Sequence, residues 1–210
     1  VTVKGNTERD EEGNTKSTIS AMRLKSVGKN LFDESKLESV NSRPTLVWDG
    51  KVLSLYDYAN SLPYDHPFVK YVRSLLKVGH TYTSTHTVER LSGDSGAFGA
   101  IWFYNDTYGH FEVFTLGDGD RKKTFTVPED FFEKWGTSRL IIYGTSNGTG
   151  ERVRISRLQI EESSTATPYE PYKESSAIIN LTEPLRSVPS AKDEINVTTG
   201  VKTQRIGNKT

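Results

Sequence analysis

From Thr81 to Ile160 the chain runs TYTSTHTV (81–88), GDSG (93–96), FGAIWFY (98–104), NDTYG (105–109), FEVFTL (111–116), GDGD (117–120), KKTFTV (122–127), RLIIY (139–143), TSNG (145–148) and RVRISRLQI (152–160). Short runs rich in Thr, Val, Ile, Tyr and Phe favour strands, because such side chains fit a pleated, half-buried surface. Gly, Asn and Asp punctuate them at a spacing of roughly 8–12 residues, the pattern of an antiparallel sandwich or barrel. There is no βαβ alternation and no Gly-rich phosphate loop, which excludes the nucleotide-binding folds. The expected architecture is mainly all-β, a jelly-roll sandwich over 31–172.

Outward from this block the signals change. Leu46-Val47-Trp48 precedes the turn pair Asp49-Gly50, and Lys51-Val52-Leu53 follows, which predicts a hairpin. Apolar residues at 68, 69, 71, 72, 75 and 76 predict one amphipathic helix over Phe68–Val78, stopped by Gly79. Asp130–Trp135 predicts a single helical turn. Thr165–Tyr172 contains two prolines whose preceding residues are pushed out of α space, so it reads as an extended strap across a surface. At the N-terminus, Val1–Thr7 predicts a strand, Glu8–Ser17 a charged loop and Ile19–Val27 a second apolar piece. At the C-terminus, Ile195–Val197 and Val201–Ile206 predict a hairpin. Neither end carries apolar surface enough for a core, so 1–30 and 173–210 are expected to pair as a small flanking β element. The chain opens on Val1 without a signal peptide and reads as a piece of a longer protein.

Composition narrows the function. Lys plus Arg and Asp plus Glu are 27 each, so the net charge is zero. A nucleic-acid surface needs a cationic excess, and a basic membrane patch needs the same. No apolar run approaches the roughly 20 residues of a membrane span. Cysteine is absent, which removes thiol catalysis, thiolate zinc sites and disulfides together. The four histidines, at 66, 80, 86 and 110, show no HExxH spacing. No GxSxG element is present, and no carboxylate pair stands out as a glycosidase pair. An enzyme is not expected, nor a cofactor. Five Asn-x-Ser/Thr sequons, at Asn105, Asn147, Asn180, Asn196 and Asn208, read as turn and strand chemistry.

Two constellations carry a possible ligand chemistry. On a strand through 98–104, Phe98, Trp102 and Tyr104 share one face while Ala97, Ile101 and Phe103 share the other. One face belongs to the core. The other is either covered or an aromatic platform for the C–H faces of sugar rings. Trp48, Trp102, Tyr104 and Tyr108 are the candidate carbohydrate-binding residues, with core packing as the alternative. Asp118 and Asp120 place hard oxygen ligands in a flexible loop, which suits calcium. The remaining ligands of a calcium loop are missing and Asp-Gly is an ordinary turn pair, so the turn reading is preferred.

Four parts of the chain carry a resemblance. Leu24–Asp33 (LKSVGKNLFD) is similar to the opening of modules in tail proteins of phages and prophages of Gram-positive bacteria. Ile155–Glu162 (ISRLQIEE) with Thr165–Tyr172 (TATPYEPY) resembles their closure. Leu185–Pro189, Asp193-Glu194-Ile195 and the hairpin that follows resemble their linker, and Val3–Thr7 their start. These modules resemble carbohydrate-binding jelly rolls in minor structural, fibre or receptor-binding parts of the tail. The resemblance therefore implies a virion protein whose partners are other tail proteins and a host cell-surface glycan. Whether the chain also pairs with copies of itself as a homo-oligomer is left open by the sequence. A structural connector without ligand is the second expectation, and a wall-degrading enzyme the last.

Overall fold

Alternating burial along successive strands builds two sheets around one aromatic core. The structure, a computed structural model, describes residues 2–9, 15–56, 59–91, 99–144, 153–188, 191–196 and 201–206. In chain order the strands are β1 (Thr2–Arg9), β2 (Thr15–Val27), β3 (Leu46–Trp48), β4 (Val52–Leu55), β5 (Ala59–Leu62), β6 (Thr81–Arg90), β7 (Ala100–Asn105), β8 (Gly109–Phe114), β9 (Gly119–Thr126), β10 (Arg139–Tyr143), β11 (Val153–Glu161), β12 (Glu174–Val188), β13 (Ala191–Lys192), β14 (Glu194–Ile195) and β15 (Lys202–Thr203). A 3₁₀ helix covers Glu34–Ser42, and two α-helices are α1 (Pro67–Ser74) and α2 (Phe131–Trp135). Among the described residues no helix is long and apolar enough to cross a membrane.

The chain divides into two compact units, Val27–Lys173 and Val1–Ser26 with Glu174–Thr210. In the first, one sheet has the order β3-β4-β11-β6-β9 and the other β5-β10-β7-β8. From β4 to β11 the chain crosses between sheets, and the last strand, β11, returns beside β4 of the opening hairpin, which is the jelly roll. Inward side chains interlock as edge-on aromatic pairs: Phe32 meets Phe68 and Phe114, and Phe131 meets Phe103 and Phe111.

A strap closes the roll from outside. Gln159 and Glu161 pair with Thr85 and Thr83 on the outer face of β11, yet both are buried, because Thr165–Tyr172 lies over them. Burial demands partners for them, and the strap supplies these. The Glu170 N–H donates to Gln159 Oε1 at 2.8 Å, and Thr167 donates twice to Glu161. Asn30 joins the opening to this closure: its amide donates to Leu158 O and Glu170 O, and its Oδ1 accepts from the N–H groups of Phe32 and Ile160. Between Ser156 and Gln159 the β6–β11 register shifts, and Arg157 takes the left-handed conformation (φ 55°) there, its guanidinium over the Tyr169 ring.

The second unit is a sheet of order β1-β2-β12-β13 with a two-stranded β14-β15 ribbon. The two chain ends therefore share one sheet. Met22 and Leu185 are buried in it, and the Asp193 carboxylate accepts the N–H groups of Arg186, Arg205 and Ile206.

Two expectations are corrected, and two elements appear that the sequence reading did not name. The predicted helix ends at Ser74 rather than Val78, because Leu75 and Leu76 bond back three residues and tighten the last turn. The predicted 8–17 loop gives its ends to β1 and β2, whose pairing runs out to Arg9↔Thr15. Residues 174–188 form one long strand. The 3₁₀ helix over 34–42 has only two apolar residues, Leu37 and Val40, too few to announce it by pattern; Asp33 caps it through Ser35 N–H. The turns expected at 93–96 and 145–148, and Phe98, lie outside the described residues.

Candidate functional site

The β5-β10-β7-β8 sheet turns its second face outward. Along β7, Ile101 and Phe103 are buried, which sends Trp102 and Tyr104 to the outer face. Trp102 lies opposite Glu112 and Ile141, and Tyr104 opposite His110 and Arg139. Directly opposed residues share a face, so these six side chains form one surface. The Trp102 ring sits between His110 and Tyr143, with centroids 4.9 and 5.2 Å away. It is half-buried, and its indole N–H is buried with no hydrogen-bond partner among the described residues.

At the Tyr104 end this face opens into a cleft of about 490 Å³, lined by Tyr64, Tyr104, Asp106, Ser138, Arg139 and Arg43 among others. Local chemistry builds each wall. The turn Pro63–His66, closed by His66 N–H to Pro63 O, holds Tyr64 out with 55% of its surface exposed. Asn105 shapes the β7–β8 turn, its Oδ1 accepting from the N–H groups of Thr107 and Tyr108. Arg73 on α1 ties two walls together, donating to Tyr64 O at 3.4 Å and to Ser138 O at 2.9 Å. Its guanidinium lies 5.3 Å from the Phe103 ring, and burial holds it below the usual arginine range.

Arg139 lies over the Tyr104 ring, 4.8 Å from its centroid, with Nη2 3.4 Å from the Asp106 carboxylate. The ring expected to be bare thus carries a cation. Arg43 makes no ion pair among the described residues. The cleft combines one open aromatic ring, two guanidinium groups and one carboxylate, a set suited to binding and orienting a polar ligand.

A second cleft of about 470 Å³ carries Glu34, Glu38 and Asp49 beside Trp48. Burial pushes the Glu34 carboxyl up, while the N–H groups of Val52 and Lys51 hold that of Asp49 down. Both are structural acceptors: Glu34 takes the N–H of Leu158, and Asp49 closes the β3–β4 turn.

Of the four aromatic candidates, Trp102 and Tyr104 share the outer face, and only Tyr104 lines its cleft. Trp48 belongs to the core, 8% exposed, its backbone clasped by the Asn41 amide. Tyr108 stands on the β7–β8 turn, 48% exposed, under the Lys134 ammonium. Asp118 accepts from Gly119 N–H within its own turn, and Asp120 from the Thr87 hydroxyl across the β6–β9 ladder. No group of three His, Asp or Glu side chains that could hold a metal ion occurs among the described residues. Tyr64, Arg43 and Arg139 were not legible as site residues. For Tyr64 the flanking Pro63 and Pro67 are a turn signal that favours exposure; Arg139 joins the site only through strand pairing. In comparison with known proteins, the chain matches no protein-family model, no curated protein and no solved structure.

Proposed function

We propose that the chain is a non-catalytic module of a phage or prophage tail that binds a glycan on the surface of a Gram-positive host. The supporting observation is the outer face of the four-stranded sheet, where the His110–Trp102–Tyr143 row shares a surface with Tyr104 at the 490 Å³ cleft beneath exposed Tyr64. Aromatic faces stack on sugar C–H patches, and polar groups around them fix orientation. Many copies on one particle turn weak single-site binding into firm adhesion. Other tail proteins are the remaining partners, and the virion is the location. The half-burial of Trp102 favours a second reading, a tail connector without ligand.

The test is retention of the multimerised chain on purified Gram-positive cell walls, beside Tyr64→Ala and Trp102→Ala. The wild type should be retained and both variants weakened on the order of tenfold, each with an unchanged circular dichroism spectrum. A folded wild type that is not retained would overturn glycan binding in favour of the connector.

A further inference from the structure

We infer that the cleft between Tyr64 and Arg139 selects glycans that carry a carboxylate or a phosphate; this rests on the glycan-binding reading. The chain as a whole is charge-neutral, but the cleft is not. Arg43 and Arg139 line it with Asp106 as the one carboxylate. Arg73 stands behind the walls, bonded only to carbonyl oxygens among the described residues.

Each cation is arranged to remain available. Arg139 is braced rather than neutralised. Its guanidinium carbon lies 4.8 Å from the Tyr104 ring centroid, and it meets Asp106 through one nitrogen at 3.4 Å. The Asp106 side chain is 87% exposed, so that pair is screened by water and holds little energy. A guanidinium has five N–H donors, and most of those on Arg139 stay free for a second, bidentate acceptor. Arg43 extends into the same cleft without an ionic partner among the described residues. Arg73 is a half-buried cation with no carboxylate partner among the described residues, and the field of such a charge is weakly screened. An anionic group in the cleft answers all three, while Tyr64 offers its open ring to the sugar face beside it.

The experiment uses the full chain, multimerised, on an array of matched saccharides: neutral oligomers, uronic-acid oligomers, the same oligomers as methyl esters, and sugar phosphates. The expected result is signal on free acids and phosphates, on the order of tenfold weaker on the esters and neutral members. It should fall in about 0.5 M salt. Arg43→Gln and Arg139→Gln should each abolish the preference; both side chains are exposed, so the fold survives. Equal binding to acid and ester, or an acid preference untouched in both variants, would overturn the anion selectivity and leave glycan binding standing. No binding to any member by a folded wild type would overturn both.

Discussion

The Glu161 carboxylate grips Thr167 twice, accepting its backbone N–H at 2.9 Å through Oε1 and its hydroxyl at 2.7 Å through Oε2. The contact fastens the strap over β11 and excludes water from an outward-facing glutamate. Four of the residues within the stretches that resemble tail modules thus form a latch. Asn30, Gln159, Glu161 and Thr167 bond to one another's segments.

Thr167→Val removes one charge-assisted hydrogen bond from this latch and is expected to cost about 1–3 kcal/mol. The midpoint of urea denaturation should fall at unchanged slope. Burial works to raise the Glu161 carboxyl, but the bonds from Thr167 and Gln159 outweigh it and hold the group below its usual range. Its contribution is therefore complete at neutral pH and is lost as pH falls below about 4.5 through the lowered folded value. Glu161→Gln should flatten that acid limb.

Asn30 satisfies two donors and two acceptors at once, in a site 1% exposed. Asn30→Ala leaves those backbone groups without partners. A loss of at least about 3 kcal/mol is expected, measured by the same denaturation, with faster proteolysis of the 165–172 strap.

His86 sets a second acid response in a different window. Its ring packs on Phe114 and Nε2–H donates to Gly99 O at 2.9 Å. Burial holds its pKa down to about 4, against an ordinary 6.5. Between those values the unfolded chain takes up a proton that the folded one refuses. Stability therefore falls as pH drops from about 6.5 to 4, by about 3 kcal/mol in all. Denaturation midpoints at pH 7, 5.5 and 4.5 should trace this loss, and His86→Phe should remove it.

Tyr64 and Tyr104 should separate binding from stability. Tyr64→Ala removes an exposed ring and is expected to leave the melting temperature within a degree or so, while cell-wall retention drops on the order of tenfold. Tyr104→Ala also frees Arg139 from its stacking surface, so it should cost about 1 kcal/mol of stability as well as binding. Paired thermal melts and wall-retention assays check both.

Much of the fold was legible because its causes are local. The Thr81–Arg90 strand announces itself by alternation, the β3–β4 hairpin by Asp49-Gly50, and the strap by its prolines. What was missed lacks a local cause. The 3₁₀ helix over 34–42 is held by Leu37 and Val40 packing into the core. The long β12 has an exposed face and takes its order from pairing with β2.

By itself the sequence determined an all-β sandwich and placed Trp102 and Tyr104 on one shared face of a strand, since alternation and turn chemistry act between neighbours along the chain. Only the tertiary structure decided which rings are open. Pairing β7 with β10 brings Arg139 onto Tyr104, and the turn after β5 lifts Tyr64 clear beside them. A cleft is a relation between segments far apart in the chain, so its charge and its one open ring exist only once the sheets have formed.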